Sequence, residues 1–177
     1  AQIRKVLNEH PAIEYKSAGL SDQQILQHIG ASETAVEGIF FPDTYYFIKG
    51  SSDLDILQRA YKTMQNHLQN YWSERVESLP LNTPYEALIL ASIIEKETGA
   101  ESDRAEIAGV FINRLRKGMK LQTDPTVIYG LGEQFDGNLR KKDLLADQEY
   151  NTYTRAGLPP TPISLPNFSA ATTEICF

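Results

Sequence analysis

Residues 87–99 read Ala87-Leu88-Ile89-Leu90-Ala91-Ser92-Ile93-Ile94-Glu95-Lys96-Glu97-Thr98-Gly99. The first eight are apolar or small around the whole circumference of a helix, and a helix without a polar face is a buried one. Asn82-Thr83-Pro84 supplies its start, with proline near the first helical position, and Gly99 is a C-terminal stop signal. A fully apolar helix that runs straight into Glu-Lys-Glu therefore sits in the core and carries carboxylates out on its last turn. The rest of the chain has to cover it.

The cover is predicted to be mainly helical. Downstream, a helix spans about Arg104 to Lys117, with Ile107, Ala108, Phe111, Ile112 and Leu115 facing inward and Gly118 ending it. Residues 121–130 then read as a loop followed by a short helix opened by Thr123 or Asp124. Upstream, Leu54, Leu57, Tyr61, Met64, Leu68, Tyr71 and Arg75 recur at helical spacing over residues 53–78, capped by Ser52 or Asp53, which makes a scaffold helix. Residues 1–37 read as short helices: an apolar stripe at Ile3, Val6 and Leu7 ending at Pro11, then Asp22 to Ile29 between Ser21 as N-cap and Gly30 as stop. Between glycines 38 and 50, a turn at Pro42-Asp43 leads into a predicted strand, Thr44 to Ile48. The five aromatics there read first as core and alternatively as a sugar-stacking surface. The tail from Tyr150, rich in Pro, Thr and Tyr, reads as strand or loop laid across the surface. The predicted fold class is α+β, dominated by helices, with one small sheet formed by the strand near Tyr45 and the tail near Tyr153.

Composition narrows the function classes. The chain has 177 residues, enough for one substantial core with or without a small lobe, and 41% hydrophobic against 23% charged residues describes an ordinary globular protein. Net charge is −6, and the densest basic run is Arg140-Lys141-Lys142, which argues against nucleic acid or an anionic membrane surface as partner. A neutral or mixed-charge ligand such as a glycan fits better. The one cysteine, Cys176, permits no internal disulfide, and His10, His28 and His67 make no pair at ligand spacing, so neither a metal site nor a cofactor is expected. No stretch approaches the about 20 apolar residues that span a bilayer. The chain begins at Ala1-Gln2-Ile3 and reads as a piece of a longer protein, whose leader or membrane anchor stays open.

The chemistry is expected at the end of the apolar helix. Glu95 lies in line with Leu88, Ala91 and Ser92. Desolvation and the negative end of the helix dipole both disfavour a charged carboxyl there, so the pattern predicts a raised pKa. An acid that stays protonated near neutral pH is what cleavage of a glycosidic bond needs. Glu97 competes for the role, and periodicity does not separate the two. A solvated helix end is the bland alternative. The type of reaction turns on a second carboxylate, since glycosidases usually use two. Asp124, beside Gln122 and Thr123, is the candidate; its competing reading is an N-cap for the Pro125 helix.

Five segments carry a more specific signal: Glu37-Gly38-Ile39-Phe40-Phe41-Pro42-Asp43-Thr44-Tyr45, Ala91-Ser92-Ile93-Ile94-Glu95-Lys96-Glu97-Thr98, Val110-Phe111-Ile112-Asn113-Arg114-Leu115, Leu121-Gln122-Thr123-Asp124-Pro125-Thr126-Val127-Ile128-Tyr129-Gly130, and Tyr150-Asn151-Thr152-Tyr153 with Gly157-Leu158-Pro159-Pro160. In this order, over roughly residues 37–166, they resemble the YceG-like family of endolytic murein (lytic) transglycosylases, known as MltG. The resemblance implies a lyase that cuts peptidoglycan strands between N-acetylmuramic acid and N-acetylglucosamine, leaving a 1,6-anhydro end, with Glu95 as acid and then base and no cofactor. It implies an enzyme of cell wall biogenesis tethered to the inner membrane, with its catalytic domain in the periplasm. Peptidoglycan strands are then the partner, and peptidoglycan synthases a further class that the resemblance leaves open. Residues 1–36 are implied to be the remnant of a LysM-like lobe, and residues 37–177 the catalytic domain. Thr173-Glu174-Ile175-Cys176-Phe177 departs from the family, which is expected to mark a C-terminal truncation.

Gln122, Asp124, Tyr129, Asn151 and Tyr153 are the candidate substrate contacts, because amides and hydroxyls suit N-acetyl and hydroxyl groups and tyrosine rings suit sugar faces. Asn113-Arg114 is either support beside Glu95 or an exposed helix pair. Three other readings compete: a hydrolytic muramidase using Glu95 and Asp124, a non-catalytic peptidoglycan-binding fragment, and an aminodeoxychorismate lyase. The last would want a pyridoxal-phosphate lysine in a phosphate cradle, and no Gly-rich cradle lies near any lysine.

Overall fold

The computed structural model describes residues 2–166. Among them run α1 (Gln2–Glu9), α2 (Asp22–Ile29), α3 (Asp53–Glu74), α4 (Pro84–Glu97), α5 (Arg104–Arg116), α6 (Asp124–Leu131) and α7 (Lys141–Leu145), with short 3₁₀ turns at Glu101–Asp103 and Gly132–Gln134. The chain divides into two compact units, Ala1–His67 and Leu68–Phe177. The fold is helix-rich, as the apolar periodicities require. No helix among the described residues is long and apolar enough to cross a membrane. The expected departure at residues 173–177, Cys176 included, lies outside the described residues.

In the first unit the local signals act as read. Ser21 caps α2 in a reciprocal box with Gln24, and Gly30 takes the left-handed conformation at its end. Of the two candidate caps of α3, Ser52 does the capping: its Oγ accepts from the Asp55 amide and its own amide donates to Asp55 Oδ2. Asp53 is buried and accepts from the amides of Lys16 and Ser17 instead. Ile56, Leu57, Ala60, Tyr61 and Met64 of α3 are buried, as are Ile25, Leu26 and Ile29 of α2 and Ile39 and Phe40.

The predicted small sheet does not form among the described residues. Their one β pairing is an isolated bridge between Glu14 and Ser52. Residues 44–48 are irregular. Their backbone finds other partners than a neighbouring strand: the Thr44 amide donates to Asp43 Oδ1, and the Tyr46 carbonyl accepts from Arg59 Nη1. β-branched and aromatic composition favours a pleated surface only where a second strand completes the ladder. The aromatics divide accordingly, with Phe40 buried and Tyr46 86% exposed.

The second unit is built around α4. Thr83 caps it, accepting from the Glu86 amide, and Pro84 opens it. Every residue from Ala87 to Ile94 is buried. α5 and α6 pack against it, bringing Ala108, Phe111 and Leu121 into one core with Leu79, Leu81 and Ile163. The helix stops at Thr98, which turns extended while its amide bonds to the Ile94 carbonyl; Gly99 is not in the left-handed conformation its role as stop would use.

The tail is the second correction. Residues 152–154 form a turn, not a strand. Asn151 organises it: its carbonyl accepts from the Thr154 and Arg155 amides, and its Oδ1 from the Tyr153 amide. The chain then enters the core instead of crossing the surface. The Ile163 amide donates to Ser92 Oγ at 3.0 Å, and Ser164 Oγ to the Ser92 carbonyl at 2.9 Å. The polar residue in an otherwise apolar helix is thereby satisfied, as a buried hydroxyl must be.

Candidate active site

Glu95 leaves α4 one residue after the last buried position, with 24% of its side chain exposed. Its Oε2 lies 3.3 Å from Nη2 of Arg104, a guanidinium that is itself only 6% exposed. Burial of the helix was expected to leave this carboxyl in apolar surroundings; the structure pairs it with a buried cation. Arg104 begins α5 directly after the acidic 3₁₀ turn Glu101–Asp103. In the sequence it reads as one more charge in a solvated helix start, and no periodicity links it to Glu95.

Glu97, the competing carboxylate, is placed differently. It is exposed on the helix end, and its Oε1 accepts a short hydrogen bond from Thr123 Oγ1. That bond ties the last turn of α4 to the loop before α6.

The loop is held by a lattice of hydroxyls. Gln122 stands at φ 53°, the one positive φ outside glycine among the described residues, and its amide donates to the Thr152 carbonyl at 3.1 Å. The Thr123 amide donates to Thr152 Oγ1 at 3.1 Å, and Thr126 Oγ1 meets Thr152 Oγ1 at 2.8 Å while also reaching the Thr123 carbonyl at 2.8 Å. Thr123, Thr126 and Thr152 are all buried. From α5, Arg114 donates to the Leu121 carbonyl and braces this loop, while Asn113 Oδ1 accepts from Arg116 on its own helix.

Of the predicted contacts, Gln122 and Asp124 are exposed and Tyr129 and Tyr153 half-buried. Thr123 takes the N-cap position of α6, and Asp124 follows as its first residue, where a negative charge suits the helix dipole. The capping reading of Asp124 therefore gives way to another bond: its Oδ1 accepts from Tyr153 Oη at 2.6 Å. Burial first, then the hydrogen bond to and the charge of Asp124 and the charge of Glu97, push the Tyr153 phenol up to about 12, against a smaller opposing effect of Arg114. Tyr129 packs edge-on to Tyr150 and helps line, with Lys96, Pro125, Ile128 and Ile163, a depression of about 330 Å3.

Asn151 does not fit the contact expected of it. It has no accessible surface, and Nδ2 donates to the carbonyls of Asp143, Leu144 and Ala146 at the end of α7. It positions Tyr153 and the turn from within.

Four of the five sequence segments are thus linked at the end of α4, through Glu97 with Thr123, Arg114 with Leu121, Gln122 with Thr152, and Asp124 with Tyr153. The family model that matches is that of the YceG-like family, over residues 1–173. The chain belongs to the YceG-like family. An endolytic murein transglycosylase of Bacillus subtilis is 42% identical to it over 130 residues, covering 73% of this chain and 35% of that protein. One of Streptococcus pneumoniae is 32% identical over 145 residues, covering 79% of this chain and 26% of that protein. A crystal structure of a YceG-like protein from Listeria monocytogenes superposes with a TM-score of 0.70 at 32% identity, covering 99% of this chain and 57% of that one. This YceG-like chain therefore spans about a third or less of the length of these curated relatives. Family membership accounts for the order of the five segments, and the hydrogen bonds give the physical reason four of them travel together.

Proposed function

We propose that this chain carries the catalytic centre of an endolytic peptidoglycan lytic transglycosylase, with Glu95 as its acid and base. The observation that supports this most is the placement of Glu95: a half-buried carboxylate on the last turn of a helix buried from Ala87 to Ile94, compensated by a buried arginine, beside a polar loop pinned to the same turn. The relatives named endolytic murein transglycosylases supply the substrate class.

In this reading Glu95 protonates the oxygen that links N-acetylmuramic acid to N-acetylglucosamine. Positive charge develops at the anomeric carbon as the bond breaks. The Glu95 carboxylate then takes the proton of the muramic 6-hydroxyl, whose oxygen attacks the anomeric carbon and closes the 1,6-anhydro ring. No water is consumed, and Glu95 returns to its starting protonation state. The nucleophile is already tethered to the reacting sugar, so a second enzymic carboxylate is not required. The engagement of Asp124 with Tyr153 supports this over a hydrolysis in which Asp124 serves as second carboxylate. Gln122 and Asp124 on the loop, with Tyr153 and the ring of Tyr129, are the proposed sugar contacts; Asn151 acts through Tyr153.

The same reading places the parent protein on the outer face of the cytoplasmic membrane, periplasmic where there is a periplasm, with a membrane anchor and peptidoglycan synthases as neighbours. It takes residues 1–36 as the end of a LysM-like lobe that precedes the catalytic part.

The test is product mass, run on this chain and on its longer parent. Digested peptidoglycan should yield 1,6-anhydromuramic ends, lighter by one water than reducing ends, and Glu95→Gln should abolish them with the circular dichroism unchanged. Reducing ends would establish a muramidase, and binding without any product would establish a binding fragment. Undiminished cleavage by Glu95→Gln would move the role to Glu97 or Asp124.

A further inference from the structure

We infer that Arg104 is the positioning residue of the reaction: its guanidinium fixes which oxygen of Glu95 carries the transferable proton and compensates the carboxylate left when that proton has gone. This rests on the reading of Glu95 as the acid and base.

The placement of Arg104 is unfavourable on local grounds. It opens α5, so its charge sits at the positive end of the helix dipole, where cations are disfavoured. Its side chain is 6% exposed, and a guanidinium withdrawn from water costs free energy unless it is paired. Its Nε is buried without a hydrogen-bond partner among the described residues. Nothing in helix stability explains such a residue, whereas its geometry toward Glu95 does. The planar fork sets Nη2 3.3 Å from Oε2.

Several charged groups around the end of α4 make contacts of their own. Glu97 accepts from Thr123, Asp124 accepts from Tyr153, and Arg114 donates to the Leu121 carbonyl. Lys96 lines the depression beside Tyr129.

Guanidinium nitrogens only donate, so a proton on Oε2 would face another donor. On this proposal the proton of the acid form is therefore carried by Oε1, and Oε2 is left to the Arg104 pair. The glycosidic oxygen receives it from there, and the muramic hydroxyl proton returns to the same atom. The cation neither gains nor loses a proton in the cycle. Its effect is to hold one rotamer of Glu95 through both transfers and to stabilise the intervening carboxylate, which is a fixed-charge contribution of the kind that strengthens away from water.

The experiment compares Arg104→Lys, Arg104→Met and Arg104→Ala with the parent enzyme on soluble glycan strands, reading kcat and KM separately. Misplacing a catalytic group typically costs on the order of 100-fold, so Arg104→Met should lower kcat by about that factor while KM stays within about twofold. Arg104→Lys keeps the charge without the fork, and should lose about tenfold in kcat, again at unchanged KM. Added guanidinium ion should raise the rate of Arg104→Ala and leave the parent rate unchanged. A merely structural arginine gives no such rescue and no kcat-only loss. If Arg104→Met does not fold, Arg104→Lys decides, because it retains both stem and charge. Parental kcat in either variant, or losses confined to KM, overturns the proposal. Failure of the underlying reading shows separately: there Glu95→Gln cleaves normally, whereas failure of the Arg104 role alone leaves Glu95→Gln inactive and Arg104→Met active.

Discussion

The hydroxyl of Thr152 is expected to hold the Gln122–Asp124 loop, and an exchange of one buried atom tests that. Thr152 Oγ1 accepts from the Thr123 amide at 3.1 Å, meets Thr126 Oγ1 at 2.8 Å and reaches the Thr123 carbonyl at 3.4 Å. Thr152→Val preserves the shape and deletes every one of these bonds. Thr126 keeps its own bond to the Thr123 carbonyl, so the uncompensated group is the buried Thr123 amide. Stranding a buried donor costs roughly 1–3 kcal/mol, which sets the expected loss near 2 kcal/mol. Thr152→Ser keeps the hydroxyl and removes one buried methyl, worth about 1 kcal/mol. The order is therefore the reverse of what volume alone gives. Trp72 is the chain's single tryptophan and packs against the core of the second unit, so its fluorescence reports unfolding of that unit in urea. With a slope of roughly 1–3 kcal/mol per molar, Thr152→Val should lower the midpoint by about 1 M and Thr152→Ser by about half as much. A larger loss in Thr152→Ser than in Thr152→Val would refute the reasoning.

The Tyr153 phenol, held up to about 12 against an ordinary 10.0, stays protonated in the folded chain where the unfolded chain would ionise. Its contribution to stability is therefore complete below pH 10 and lost as pH rises through 12, and Tyr153→Phe should flatten the fall in urea midpoint over that interval. Tyr61, pushed equally high by burial and Glu33, remains in that variant as an internal reference in the phenolate absorbance. At Gly130, an added Cβ would collide with Nε2 and Oε1 of Gln148. Gln148 Oε1 accepts from the Tyr150 amide, so Gly130→Ala must break that bond to make room and should cost about 1–3 kcal/mol by the Trp72 midpoint, part of which Gln148→Ala in the same chain recovers.

What the sequence made legible is what periodicity and caps encode. α4 could be read because eight successive apolar or small residues leave a helix no polar face, and α2 because Ser21, Gln24 and Gly30 sit at fixed offsets from its ends. The absence of the small sheet among the described residues is not legible because Thr44 to Ile48 has strand composition, while strand formation depends on a partner segment that no local pattern names. The site shows the same division. Glu95 follows from its position on the helix, whereas its pairing with Arg104 crosses a turn that carries no period. Asn151 was assigned by its chemistry to the substrate, yet the same amide satisfies three carbonyls inside the protein, a choice that only burial decides. Thr123, Thr126 and Thr152 look like loop residues in the sequence and act as a buried joint in the fold.

Ser92 receives its partners from residues 71 and 72 positions later. On a ribosome adding about 5–20 residues per second, α4 is made roughly 4–14 seconds before the segment that satisfies the buried Ser92 hydroxyl and sets Ile163 into the core. Through that interval the buried run of residues 87–94 has no cover from the segment around Ile163. The proposed centre at Glu95 is thus finished only once residues 163 and 164 have emerged, and a chaperone that shields α4 until then would act while its buried face is still uncovered.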